Sequence, residues 1–348
     1  GFKDFKPIIF CLGGRDNEFE RSFRDIGVDL VYLDMDRNKK DIPSLTHRLI
    51  YMRDLCQELQ VDKIIWGCLA SHMTFAFSMR FAREQIWWSQ KWKNYNSSVV
   101  DKHIWSFGMC DKQIQNEQEW LTSWFQRDVW NPNTNFSDVD KMRKQFSGKL
   151  ILGTLSRQQK MSNPEYIRTV CQILRQHENV VFIWTGRTQD KVVAEIFKAE
   201  GVSEKTYFVG WVNTDTYAYV LDIMLDPFPT GNGVTSIQTM VAGKPVLLFK
   251  NCGLDILLGN FRLKTATQNS FTKQVQEIFH VKSEKELGLY TCVNDAAEYV
   301  FMANKLILDA DLRSRVGAAF KKCVEDLFCS PQVSESQFTK HILSNKTN

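Results

Sequence analysis

The chain has 348 residues, enough for two domains of ordinary size that each bury a core of their own. Its 43% hydrophobic and 24% charged residues are the proportions of a globular protein, and a net charge of only +4, mixed in sign along the chain, excludes the strong basic bias of a nucleic-acid binder. Nine cysteines without a Cys-x-x-Cys pair exclude a disulfide framework and a zinc knot, and point to a reducing, cytoplasmic compartment.

No apolar run approaches the roughly 20 residues of a membrane span, and no signal peptide is visible, so the sequons at Asn96, Asn135 and Asn345 read as incidental. The first residue is glycine, which leaves room for a missing native N-terminal region. The ten tryptophans concentrate in the first two-fifths of the chain, where they suit a core or interface and, for some, a sugar platform.

In chain order, Pro7 to Leu12 reads as a buried strand, Phe19 to Ile26 as a helix and Val28 to Asp34 as a second strand. Leu45 to Leu59 has apolar residues at helical spacing, and Lys63 to Gly67 is a third strand. Thr74 to Arg83 reads as a helix, Glu84 to Trp88 as a strand and His103 to Phe107 as a short strand. Residues 111–148 break this rhythm; they are polar, with Asn and Asp around Asn131-Pro132-Asn133, and read as a connector between domains.

The alternation restarts with the strand Lys149 to Thr154, a helix from Pro164 to Gln176 with proline near its start, and the strand Asn179 to Gly186. Lys191 to Gly201 is helical and Tyr207 to Gly210 is a strand. Strand and helix alternating in both halves imply an α/β protein with mostly parallel sheets, residues 1–148 forming one domain, residues 149–330 a second, and residues 331–348 a C-terminal helix or tail.

The most informative stretch runs from Asp222 to Phe249. A buried strand (Asp222-Ile223-Met224-Leu225) stops at two prolines and opens into the small-residue loop Thr230-Gly231-Asn232-Gly233-Val234-Thr235-Ser236, which feeds a helix over Ile237 to Val241. A glycine-rich turn at a helix start presents free backbone N–H groups and the positive end of the helix dipole, a ready-made anion site. The hydroxyls of Thr235 and Ser236 add donors, and Gly243-Lys244-Pro245 leads into the next buried strand. A tight strand-to-helix connection in any α/β protein accounts for part of this pattern as well.

Strand, anion loop, helix, Gly-x-Pro and strand is how nucleotide-sugar glycosyltransferases of the GT-B fold hold a donor diphosphate. Leu152-Gly153-Thr154-Leu155-Ser156-Arg157-Gln158-Gln159-Lys160-Met161-Ser162-Asn163-Pro164, Phe182-Ile183-Trp184-Thr185-Gly186-Arg187 and Asp222 to Pro245 fall in the order seen in the O-GlcNAc-transferase-like family. The third of these resembles especially the HMW1C-type bacterial cytoplasmic N-glycosyltransferases. The resemblance covers about residues 149–260, with a weaker echo at Ala82-Arg83-Glu84-Gln85-Ile86. It implies two facing Rossmann-like domains with a donor cleft between them, and a lysine, here Lys160, on the donor diphosphate. It departs in two places: the family's Gly-His-Pro-x-Thr segment is replaced by Trp87-Trp88-Ser89-Gln90-Lys91-Trp92-Lys93, and the acidic residue that grips the ribose is replaced by Gln238. No tetratricopeptide array is visible, so an acceptor-recruiting superhelix is not part of this chain.

The expected donor site comprises Arg157, Lys160, Arg187, Asn232, Gly233, Val234, Thr235, Ser236 and Gln238, with Lys160 and the loop amides stabilising charge on the departing diphosphate. A general base belongs to the first domain, where His72 follows the third strand; a lone histidine also serves as a structural residue. Asp16, after the first strand, contacts acceptor or sugar or caps the helix that begins near Asn17. No cofactor or metal is expected, because the Asp34-Met35-Asp36 pair lies far in sequence from the phosphate loop. The resulting expectation is a metal-independent hexosyltransferase using a UDP-sugar and a protein acceptor, with a partner protein also admitted. A retaining GT-B enzyme acting on a glycan, and an inactive GT-B module that binds a partner, are the alternatives.

Overall fold

The computed structural model describes residues 6–13, 17–36, 38, 40–66, 73–89, 98–105, 119–120, 131, 134–249, 292–328 and 342. These fall into two compact units, one holding the described residues up to 120 and the other those from 131 onward.

In the first unit, β1 (Ile8–Cys11), α1 (Asn17–Asp25) and β2 (Asp29–Tyr32) form a parallel pair with its crossover helix. Next come α2 (Leu45–Glu58), β3 (Lys63–Trp66), α3 (Met73–Ser78), β4 (Glu84–Ser89), β5 (Lys102–Trp105) and β6 (Glu119–Trp120). The strands β3 to β6 pair side by side in chain order, all parallel. The core gathers Leu49, Met52, Leu55 and Cys56 of α2, at helical spacing, with Ile64, Trp66, Phe77, Phe81 and Trp87. Trp66 and Trp87 are therefore core residues rather than sugar platforms. Gln85, fully buried, clips this unit together: its amide donates to the carbonyls of Phe77 (2.8 Å) and Val99 (2.9 Å), and its Oε1 accepts the N–H of Phe81 (2.9 Å).

The second unit opens with α4 (Phe136–Gln145), inside the stretch that the polar sequence marks as a connector. Asn135 caps it, accepting from the amides of Ser137 and Asp138. Arg143 on α4 donates to the Val220 carbonyl and to the Asp222 carboxylate, both at 2.8 Å, and that carboxylate also accepts the N–H of Ile151 at 2.9 Å. This stitching makes residues 134–148 part of the second unit.

The order continues β7 (Leu150–Thr154), α5 (Gln158–Met161), α6 (Pro164–Gln176), β8 (Val180–Trp184), α7 (Lys191–Ala199), a 3-10 turn at Ser203–Lys205, and β9 (Thr206–Phe208). After it come α8 (Thr214–Val220), β10 (Ile223–Leu225), α9 (Val234–Val241), β11 (Val246–Phe249), β12 (Cys292–Val293), α10 (Ala296–Leu308) and α11 (Ala310–Phe328). The sheet order is β12-β11-β10-β7-β8-β9, every pair parallel. Its central strands are buried on both faces, which is why they read as unbroken apolar runs. The chain lays down β7, β8 and β9 outward in one direction, then returns to the other side of β7 for β10, β11 and β12. That reversal makes a crevice at the carboxyl ends of β7 and β10, the usual ligand position in such sheets.

Candidate functional site

The crevice between β7 and β10 is where the sequence's anion loop and Lys160 come together. Lys160, on the short helix that follows β7, donates from Nζ to the Gly231 carbonyl in the loop that follows β10. Burial pushes the Lys160 ammonium below its ordinary value, the carboxylate of Asp226 works against that, and Arg157 adds to it. Arg157 itself is exposed on the rim, as the residue just before α5.

Beneath the loop lies a chain of buried polar side chains. Thr154 and Ser156 share a hydroxyl–hydroxyl bond of 2.9 Å, and the Ser156 hydroxyl donates to Oδ1 of Asn232 at 2.8 Å. Thr185, at the end of β8, accepts the Ser156 N–H at 3.0 Å and donates to its carbonyl at 3.1 Å. Asp226, only 1% exposed, accepts the Asn232 N–H at 3.0 and 3.2 Å and the Ser236 hydroxyl at 3.0 Å. Its main chain is fixed as well, by the Tyr299 hydroxyl on its carbonyl at 3.0 Å and by its own N–H on Leu247 O at 3.1 Å. Phe228, wedged among Tyr166, Phe249 and Tyr299, anchors the loop's first turn.

The first turn of α9 is the business end of this loop. Its ladder closes first at Ile237 N–H on Gly233 O, 3.1 Å, so the amides of Gly233, Val234, Thr235 and Ser236 precede any intrahelical acceptor. Thr235 is half-buried, and its hydroxyl has no partner among the described residues. Val234, in the same turn, is 49% exposed. Open amides, a helix dipole and Lys160 together make a combination suited to a phosphate or diphosphate.

Two expected donors have other employment. The Asn232 amide and the Ser236 hydroxyl both donate to Asp226, so they shape the loop instead of facing an anion. Asp226 is the residue that sequence reasoning missed. Burial pushes its carboxyl up to about 7, against the opposing effects of Ser236, Asn232 and Lys160.

The remaining expected residues are spread around the rim or lie elsewhere. Arg187, after β8, places its guanidinium over the Trp211 ring at 5.3 Å, and Trp211 is 69% exposed. Nε2 of Gln238 donates to Asp215 on α8 at 2.6 Å, while its Oε1 is buried with no hydrogen-bond partner among the described residues. Asp16 and His72 lie outside the described residues. Asp36 accepts the amides of Asn38 and Lys40, both at 2.8 Å, and so closes a turn in the first unit. Among the described residues no group of three His, Cys, Asp or Glu side chains could hold a metal ion, and no helix is long and apolar enough to cross a membrane.

No protein-family model and no curated protein matches the sequence. Solved structures match over nearly the whole chain. Anabaena HepE in complex with UDP superposes with a TM-score of 0.65 at 13% identity, covering 95% of this chain and 98% of that one. A glycosyltransferase from Rickettsia africae gives 0.64 at 15% identity, over 98% of this chain and 91% of that one. The chain has the GT-B fold. A Thermobaculum terrenum O-GlcNAc transferase also matches, with a TM-score of 0.53 at 16% identity over 96% of this chain and 69% of the other. Identities this low establish the α/β fold with its Rossmann-like domains, while the chemistry has to be argued from the site itself.

Proposed function

We propose that this chain is a metal-independent glycosyltransferase that moves a hexose from a UDP-sugar to an acceptor, a protein side chain before any other. The observation that carries the reading is the convergence of Lys160 and the open first turn of α9 at the switch point of a GT-B sheet. HepE, of the same fold, is known in complex with UDP. Breaking a glycosyl–phosphate bond places growing negative charge on the leaving diphosphate. Preorganised amides and a half-buried ammonium stabilise that charge without a metal.

In this reading the diphosphate lies over Gly233 to Thr235, with Lys160 on its leaving-group oxygens and Arg157 on the rim. The exposed indole of Trp211, held by Arg187, is a stacking surface for the base, and Gln238 stands where the resemblance puts the ribose contact. His72 and Asp16 remain the proposed base and acceptor contact of the first domain. The half-buried or buried thiols of Cys11, Cys56 and Cys171, all free, fit a cytoplasmic setting.

Nucleotide release from a panel of sugar nucleotides, with peptide and lysate acceptors, tests the activity. Turnover with a UDP-hexose supports the proposal. UDP binding without turnover on any donor supports instead the partner-binding module, which the uncharged Gln238 favours.

A further inference from the structure

Asp226 has no part in the chemistry described so far, yet no other carboxylate among the described residues of the second unit is as fully enclosed beside the site. It sits at the carboxyl end of β10, and it faces Lys160 of α5, Tyr166 of α6 and Tyr299 of α10. Both tyrosines are fully enclosed, their hydroxyls held neutral well above the ordinary phenol range, so Lys160 is the one charged group facing it among the described residues. α9 offers it the Ser236 hydroxyl, and the loop before α9 the main-chain N–H and the side chain of Asn232. A neutral acceptor would hold those donors at far lower desolvation cost, so a buried ionisable group here asks for a functional reason.

We propose that Asp226 is a positioning residue for the donor diphosphate: its ionised carboxylate holds the loop from Asn232 to Ser236 in the shape that leaves the first amides of α9 open to the anion. The inference rests on the reading of that turn as a diphosphate site. Two effects oppose each other. A negative charge below an anion site repels the anion, while loss of the carboxylate releases Asn232 and Ser236 together and misaligns several amides at once. Lys160 already offsets the charge, and bonds to an ionised partner are about twice as strong as neutral ones, so alignment decides the sign.

The test compares UDP affinity of the wild type and Asp226→Asn by calorimetry across pH, with a melting temperature at each point. Asparagine keeps the shape, has one acceptor oxygen and no charge, and so stands in for the protonated acid. The wild type is expected to bind UDP about tenfold more tightly near pH 8, and the ratio to close toward one as the pH falls through about 7. Protonation of UDP itself is common to both proteins and drops out of the ratio. Equal or tighter binding by the variant near pH 8 overturns the proposal, as does a ratio that does not move with pH, which is what a purely structural carboxylate gives. Should Asp226→Asn fail to fold, Ser236→Ala deletes one donor to the same carboxylate; a severalfold loss of UDP affinity supports the proposal and unchanged affinity overturns it. A wild type that binds no UDP at any pH overturns the diphosphate reading itself, an outcome distinct from all of these.

Discussion

Lys160 carries its ammonium from the helix after β7 to the loop after β10, into surroundings where burial already works against its charge. An arriving diphosphate relieves that cost, and relieves it more as the leaving group gains charge. Lys160→Ala is therefore expected to lower turnover by about 100-fold, or ~3 kcal/mol, a size typical of a lost transition-state contact. Thr235→Ala removes a neutral hydroxyl while the amides stay, and is expected to cost about 1 kcal/mol. Steady-state kinetics on the two variants checks both values; equal losses would mean that the lysine holds no developing charge. Asp226 adds a stability prediction. Its carboxyl is raised from 3.8 to about 7 in the folded chain, so between those values the folded state binds more protons than the unfolded state and stability falls as pH rises. Relative to the wild type, Asp226→Asn should gain a few kcal/mol of unfolding free energy between about pH 4 and pH 8. Denaturant unfolding at the two pH values reads the change, and a difference independent of pH would contradict it.

Among the elements, those with strong local signals are legible in the sequence. The Asn163-Pro164 start of α6, with the Asn163 side chain capping the amides of Glu165 and Tyr166, marks that helix to the residue. The apolar runs of β7, β8 and β11 are equally plain. By contrast α4 is hidden because only Val139 and the flanking Phe146 are buried along it, so its sequence carries almost no apolar stripe. The seven-residue α8 is hidden by its length, although the Asn213 cap is a signal that points to it. Asp226 reads in sequence as an aspartate before a proline, and only tertiary packing shows it to be enclosed. Close contact between elements gives a further prediction. Gly317 of α11 lies against the turn after α9, where an added Cβ would meet the Gly243 carbonyl oxygen at 2.0 Å. Gly317→Ala should therefore destabilise the protein by about 1–3 kcal/mol, despite alanine's better helix propensity, because the obstacle is backbone. Thermal unfolding checks it, and an unchanged or raised melting temperature would contradict the packing.

For the molecule as a whole, alternating strand and helix signals carry the α/β class, and the residue pattern from 149 to 260 carries the GT-B resemblance. Strand order is not legible, because parallel neighbours are chosen by crossover packing rather than by local sequence. Yet strand order is what brings Lys160 beside Gly231, 71 residues further along the chain. Under the proposed function Lys160 and the first amides of α9 carry the leaving-group charge, so turnover should persist in excess EDTA; loss on chelation with recovery on Mn²⁺ or Mg²⁺ would replace the amide-and-lysine account with a metal-assisted one. The proposed function requires that this crevice hold a diphosphate. Calorimetric titration of the wild type in EDTA with UDP and, separately, with uridine tests it most directly. UDP should bind at least about 100-fold more tightly than uridine, as several charge-assisted bonds require. Equal affinity for the two, or no binding of UDP, would contradict it.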